Sequence, residues 1–145
     1  MQSLDWLLLA VEGHAVGATG PDKLDPVRIQ KSMFLLSQRG PARDLYSFKP
    51  YNWGPFSSSI YNDLDSLVLQ GLLEKVPNPG HTWVWYEATP KGHDRASQLA
   101  LGLKDEQRTW LGRCRDFVTD RSFTRLLRDV YDAYPEMATK SLFQS

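Results

Sequence analysis

Apolar residues recur every three or four positions in several stretches of the chain, which is the spacing of an amphipathic helix. The first stretch spans residues 2–13, with Ser3 as its predicted N-cap. Its apolar positions are Leu4, Leu7, Leu8 and Val11. A second helix is predicted to follow Asp25, an N-cap residue, with Pro26 at the first helical position and Gly40 at the end. Its predicted inner face consists of Ile29, Met33, Phe34 and Leu36.

The pattern between residues 45 and 88 predicts β-structure on either side of one helix. A short strand is expected at 45–48, after which Gly54 and Pro55 change the direction of the chain. One of the serines at 57–59 then caps a helix that ends at Gly71. Its predicted buried stripe is Ile60, Leu64, Leu67 and Val68. Residues 72–76 and 82–87, separated by the turn PNPGH, predict a β-hairpin.

Three further helices are predicted in the C-terminal part of the chain. One follows Thr89 and Pro90, one begins at Asp105 or Thr109, and one is capped by Ser122 and stopped by Pro135. The whole order predicts an α+β, mostly helical fold. We expect a winged helix-turn-helix-like core with a β-hairpin wing over residues 1–103, and extra C-terminal helices over 104–145, in one domain spanning residues 1–145.

Two short motifs resemble the winged-helix regulators of the MarR and PadR families. The segment GLLEKV, with Gly71, Leu72 and Leu73, is similar to the exit of a recognition helix in those families. The segment WYEATPKGHDRA, with the run 89–92, is similar to their wing and following helix. The resemblance implies a winged-helix fold.

A second resemblance covers more of the chain. The segments RIQKSMFLL, YSFKPYNWGPFSSSIYNDLDSLVLQGLL and VYDAYPEMATKSLF resemble the YwgA-like proteins and, more distantly, the SocA-like (Panacea) antitoxin domain. The residues that carry it are Arg28, Ile29, Gln30, Lys31, Met33, Phe34, Trp53, Gly54 and Pro55, with Phe56 in place of a small aliphatic residue. This resemblance implies a small prokaryotic or phage accessory protein without enzymatic activity, linked to toxin neutralisation or regulation.

The charge of the chain gives no general reason to expect binding to nucleic acid or to a membrane. The 145 residues include 17 Lys and Arg and 17 Asp and Glu, so the net charge is zero. Basic residues exceed acidic ones between Lys104 and Arg128, where we expect two solvated helix faces. Cys114 is the single cysteine, so no intramolecular disulfide forms, which suits a reducing cytoplasm.

No residue pattern in the sequence indicates catalysis. His14, His81 and His93 are scattered, and the sequence contains no HExxH or CxxC pair for a metal and no phosphate-binding loop. Cys114 has the spacing of a core residue. The sequence therefore predicts that the protein is not an enzyme and needs no cofactor or metal.

The aromatic residues give the leading functional hypothesis, which is binding to another protein, toxin-like or regulatory, or to a second copy of this chain. The candidate contact residues are Tyr51, Trp53, Phe56, Trp83 and Trp85. A two-stranded wing cannot bury both of its faces, so some of this aromatic surface is expected to be exposed and to anchor a partner. The alternative is that the C-terminal helices cover it.

The second hypothesis is a sequence-specific DNA-binding transcriptional regulator, in which the helix after Pro55 reads bases. Ser58, Ser59, Asn62 and Ser66 would make the base contacts. Phosphate contacts would come from Lys49, Lys75, His81 and Lys91. Against this stand Asp63, Asp65 and the absence of Arg and Lys between residues 50 and 73, because phosphate neutralisation supplies most non-specific affinity. The alternative is that this helix reads no bases and only maintains the geometry of the fold.

Overall fold

A computed structural model describes residues 1–143, and in that range the chain forms six α-helices and two small antiparallel sheets. The helices are α1 (Ser3–Glu12), α2 (Pro26–Leu36), α3 (Ser58–Leu69), α4 (Pro90–Leu101), α5 (Asp105–Thr119) and α6 (Phe123–Ala133). The strands are β1 (Lys23–Leu24), β2 (Lys49–Tyr51), β3 (Gly54–Phe56), β4 (Leu73–Val76) and β5 (Trp85–Ala88). The prediction of an α+β, mostly helical fold is confirmed.

The larger sheet has the strand order β1-β5-β4, with both pairs antiparallel. In the β4–β5 hairpin Leu73 lies opposite Ala88, and Val76 lies opposite Trp85. The second sheet is a ribbon of β2 and β3, in which Pro50 lies opposite Pro55. Because proline has no backbone N–H, this pair occupies a position of the ladder without mutual hydrogen bonds.

The core is built around α1, whose residues 6–11 are all at most 5% exposed. An apolar run of this kind, without a polar face, needs packing partners on all sides. Helices α2, α3, α4 and α5 and strand β5 supply them. The predicted inner face of α2 is buried in full, and that of α3 is buried except for the half-buried Val68. These two faces are therefore confirmed.

The strand predicted at residues 45–48 is wrong. That segment has no regular structure, and the strands begin later, at Lys49 and Gly54. Tyr46 and Phe48 instead pack their half-buried side chains against the core, which their β-propensity does not reveal. The positive φ of 100° at Gly54 places the tight turn just before β3.

Several predicted helix and strand ends also differ. The N-cap of α1 is Gln2 rather than Ser3, and its backbone N–H donates to Asp5 Oδ2 at 3.0 Å. Helix α2 ends at Leu36 instead of Gly40, with Ser37 as its C-cap, and the Ser37 hydroxyl donates to the Phe34 carbonyl at 2.7 Å. Strand β5 begins at Trp85, three residues after the predicted start at 82.

The expectation that the basic residues of 104–128 lie on solvated faces is wrong for Arg115. This side chain is 1% exposed, and its Nη2 donates to the Val11 carbonyl at 3.1 Å and the Pro21 carbonyl at 2.7 Å. Burial lowers the pKa of the guanidinium to about 10. Arg115 thereby ties α5 to the end of α1 and to the loop that follows it.

Among the described residues, no helix combines the length and the apolar character needed to cross a membrane.

The close approach of α4 to Leu72, the residue before β4, gives a first prediction. A Cβ at Gly92 would lie 1.9 Å from the Leu72 carbonyl oxygen, so Gly92→Ala forces the backbone apart. We expect it to lower the free energy of unfolding by about 1–3 kcal/mol. At Gly102 an added Cβ would make only a van der Waals contact, 3.6 Å from the Leu99 carbonyl oxygen, and the φ of Gly102 is −85°. Gly102→Ala should therefore stabilise by up to about 1 kcal/mol.

Urea unfolding of both variants measures the difference. Equal stability of the two variants would mean that Gly92 of α4 does not approach the Leu72 carbonyl as described.

Candidate functional site

The β2–β3 ribbon presents aromatic side chains at one end of the molecule. Tyr51 stacks on Phe56 with ring centroids 4.7 Å apart, and Phe56 lies 5.9 Å from Tyr61 of α3. Trp53, at the turn, is 39% exposed, and Tyr51 is 47% exposed. The tight turn at Gly54 thus places large aromatic rings partly in solvent.

A second aromatic group lies at the start of β5. Trp83 and Trp85 meet edge to face with centroids 4.8 Å apart, and the His81 ring lies 5.3 Å from Trp83. The Lys23 ammonium lies 5.0 Å from the Trp85 centroid, in the range of a cation–π contact. Trp83 precedes the strand, so strand alternation does not determine its direction, although both tryptophans are half-buried.

The fold brings the two aromatic groups together along the N-terminal turn of α2. Trp53, Trp83 and Trp85 line one open groove of about 740 Å³, here called the aromatic groove. Its other lining residues are Asp25, Pro26, Val27, Arg28, Tyr61, Asn78, His81 and Phe123.

Tyr51 and Phe56 lie outside this groove and line an adjoining pocket of about 150 Å³, here called the lysine pocket. Its lining also includes Lys31, and it shares Trp53 and Tyr61 with the groove. The five residues predicted as a contact surface therefore line two neighbouring depressions.

The C-terminal elements cover the aromatic residues only in part. Phe123 of α6 meets Trp53 edge to face at 5.7 Å between ring centroids. The Leu142 N–H donates to the Asn52 carbonyl at 2.8 Å, which holds the C-terminal segment beside the ribbon. Phe123 is itself 36% exposed, so the groove stays open.

Two polar side chains of α2 hold this region in place from inside the protein. Gln30, 4% exposed, donates from Nε2 to the Ser57 carbonyl and accepts from the Ser57 N–H, each at 2.9 Å. Lys31, 1% exposed, donates from Nζ to the Trp53 carbonyl. Burial lowers the pKa of Lys31 to about 7, and Asp25 partly opposes this shift.

Sequence reasoning did not identify Gln30 and Lys31 as site residues. The signal available was a polar run, 30–32, placed between the apolar Ile29 and Met33 on a helix. Such a run is ordinarily the solvated side of an amphipathic helix. It is buried here because β3 and α5 pack on α2 from additional directions.

The residues proposed to read DNA lie mainly on the exposed side of α3. Ser58, Ser59 and Asn62 are exposed, and the Ser66 hydroxyl is directed back to the Asn62 carbonyl at 3.2 Å. Both acidic residues of the helix have intramolecular partners. Asp63 accepts from the Ser3 and Tyr46 hydroxyls, and Asp65 pairs with Lys75 at 3.5 Å.

The basic residues assigned to phosphates have different surroundings. Lys91 Nζ donates to the Gln70 carbonyl at the end of α3, at 3.0 Å, and Lys75 is paired as described. Lys49 and His81 are exposed, and His81 lies in the aromatic groove. Two of the four side chains are therefore engaged within the protein.

The remaining polar candidates are Cys114 and the residue types that ligate metals. Cys114 is 2% exposed, and burial raises the pKa of its thiol to about 12, as for an unreactive core cysteine. No cluster of three or more His, Cys, Asp or Glu in this range would hold a metal ion.

Comparisons with protein-family models, with curated proteins and with solved structures found no match.

The Gln30–Ser57 contact gives a second prediction. Gln30→Met keeps the length of the side chain but leaves the buried Ser57 N–H without its acceptor, while the Ser57 carbonyl keeps its bond from the Ile60 N–H. An unpaired buried donor costs about 1–3 kcal/mol, and we expect that loss in the free energy of unfolding. Gln98→Met, at an exposed position of α4, is the matched control and should be near neutral. Chemical denaturation compares the two variants. An unchanged free energy of unfolding in Gln30→Met would contradict the Gln30–Ser57 contact.

Proposed function

We propose that this protein is a non-enzymatic prokaryotic or phage accessory protein of antitoxin-like or regulatory type, which acts in the cytoplasm by binding another protein. The observation that supports this proposal is the convergence of Trp53, Trp83 and Trp85 on one open groove. Partly exposed tryptophans in a concave apolar site are the side chains that most often dominate binding energy at protein interfaces. The contacts of Trp53 with Phe123 of α6 and of Trp83 with Trp85 also preorganise these side chains, which reduces the entropic cost of binding.

The surroundings of the groove indicate the chemistry of the partner segment. Lys23 is exposed, lies against Trp85, and forms no ion pair within residues 1–143. Asp25 is buried and bound to Arg28 at 3.1 Å, so it presents little negative charge to a ligand. We therefore propose that the groove takes an aromatic or aliphatic side chain with an acidic residue beside it.

Truncation of the groove tryptophans tests the proposal. The wild-type protein is used to isolate its partner from host cells, and the purified partner is then titrated by calorimetry. We expect Trp53→Ala and Trp83→Ala each to raise Kd by about 30-fold or more, the effect of losing a hot-spot side chain. Leu101→Ala is the control, because Leu101 is 85% exposed on α4 and lines neither depression.

An unchanged Kd in both tryptophan variants would reject the groove as the binding site. If the isolated partner is a second copy of this chain, sedimentation analysis of the same variants should show a monomer where the wild type is a dimer. A wild-type protein that stays monomeric and binds no protein would overturn the proposal as a whole.

A DNA-binding regulator of winged-helix type is the second candidate function. It is supported by the chain order, in which α3 directly precedes the β4–β5 hairpin, and by the sheet order β1-β5-β4. The exposed Ser58, Ser59 and Asn62 are suitable for reading bases. The engagement of Lys75 and Lys91 within the protein leaves few cations beside this helix for phosphate contacts.

A salt titration with labelled duplex DNA, including the upstream region of the protein's own gene, separates the two functions. Under the leading proposal we expect no sequence-dependent binding even at low salt, since few free cations flank α3. Sequence-dependent binding that weakens steeply with salt and is lost in Asn62→Ala would establish the regulator instead. Gln98→Ala, on the exposed side of α4, serves as the control variant.

A further inference from the structure

We propose that the lysine pocket is a binding site for a carboxylate carried on a small apolar body, with Lys31 as the cation that recognises it. This inference goes beyond the protein-binding function, because it concerns a separate depression and holds whether or not the aromatic groove has a partner.

The first observation is a buried cation that lacks a counterion. Lys31 is 1% exposed, yet it forms no ion pair within 4.0 Å among residues 1–143. A charged amine has three N–H donors, and the Trp53 carbonyl is the one acceptor that Nζ finds in that range. Buried charges are ordinarily paired, so an anion from outside the chain would meet an unfilled requirement.

The second observation is the shape of the pocket next to this amine. Tyr51, Trp53, Phe56 and Tyr61 supply aromatic walls, and the volume is about 150 Å³. Apolar cavities of about this size accommodate a benzene ring. A ring or short chain that carries one carboxylate therefore matches both the walls and the charge.

The third observation is how closely the chain is arranged around the amine. A Cβ added at Gly54 would lie 3.3 Å from Lys31 Nζ and 3.2 Å from Tyr131 Cε1. Gly54 also has a φ of 100°, so a glycine both permits the turn and leaves room for the ammonium. Lys31 Nζ therefore lies against the backbone of the ribbon, at Trp53 and Gly54.

The groups around Lys31 decide how binding depends on pH. Asp25 and Arg28 on α2 are the charges that act on it, in opposite directions. Tyr61 and Tyr131 have pKa values raised by burial, so both are neutral near pH 7, and Tyr51 completes the titratable groups of the pocket. Because burial lowers the pKa of Lys31 to about 7, the amine is charged below that pH and loses its proton above it.

Carboxylate binding and protonation of Lys31 are thermodynamically linked, and each favours the other. A carboxylate stabilises the ammonium form, so its binding must raise the pKa of Lys31. Conversely, its Kd should be lowest below pH 7 and rise about tenfold for each pH unit above it, up to the pKa of the complex. A neutral ligand of the same shape should show neither effect.

Sodium benzoate and benzamide are the probes, and the full-length protein is titrated with each between pH 5.5 and 9. NMR of the lysine Cε resonances reports the pKa of Lys31 with and without ligand, and the ring resonances of Tyr51 and Phe56, which line the lysine pocket but not the groove, report occupancy. We expect benzoate to bind at pH 6, to raise the pKa of Lys31 by at least one unit, and to bind at least tenfold more tightly than benzamide. Lys31→Met should lose the preference for the acid, whereas Lys140→Met, at an exposed lysine that lines neither depression, should keep it.

A second pair of probes separates the two sources of such a carboxylate. N-acetylphenylalanine represents the end of a peptide, and its amide is the neutral counterpart, while benzoate represents a free small acid. Selective binding of either acid supports the site, and the tighter one assigns its source. Failure of both acids at pH 6, equal binding of acid and amide, or an unchanged Lys31 pKa in the wild-type protein would overturn the inference, even if Lys31→Met does not fold.

Discussion

The requirement to hydrogen-bond polar groups inside the protein sets the geometry on which the site depends. Helix α2 packs against α1, α5 and β3, so Gln30 and Lys31 are withdrawn from water. An unpaired polar group in that environment is costly, and both side chains find backbone partners in the segment 53–57. The β2–β3 ribbon and the start of α3 are thereby fixed to one helix. This anchoring positions the rings of Tyr51, Trp53 and Phe56.

At the other end of the core the buried Arg115 also bonds to backbone carbonyls, although its Nη1 has no partner among residues 1–143. Its guanidinium binds the Val11 and Pro21 carbonyls, which belong to segments that have no regular pairing with α5. Gly13 follows the end of α1, and a Cβ there would lie 2.8 Å from Arg115 Cγ. The Arg115 side chain thus joins the C-terminal helices to the N-terminal ones.

The combination of an aromatic groove with a buried amine explains why one surface carries two kinds of chemistry. The groove needs rings that remain partly in solvent, and the ribbon holds them there because its backbone is anchored from below. The anchoring Lys31 also lines the adjoining pocket, so the residue that holds the ribbon brings an amine to this surface. The second proposal, a DNA-binding regulator, would draw on a different part of the molecule, the exposed side of α3, where Asp65 and Lys75 neutralise each other.

The sequence by itself determined the helices and the hairpin, because apolar spacing, the cap residues Asp25, Thr89 and Ser122, and the turn at PNPGH are local signals. It also identified the aromatic residues, but not that Trp53 and Trp83 line the same groove. The strand at 45–48 was wrong, and Gln30, Lys31 and Arg115 were missed, for one physical reason. Which polar residues are buried, and which backbone segments pair, depends on elements distant in sequence, and only the tertiary structure decides how those elements pack.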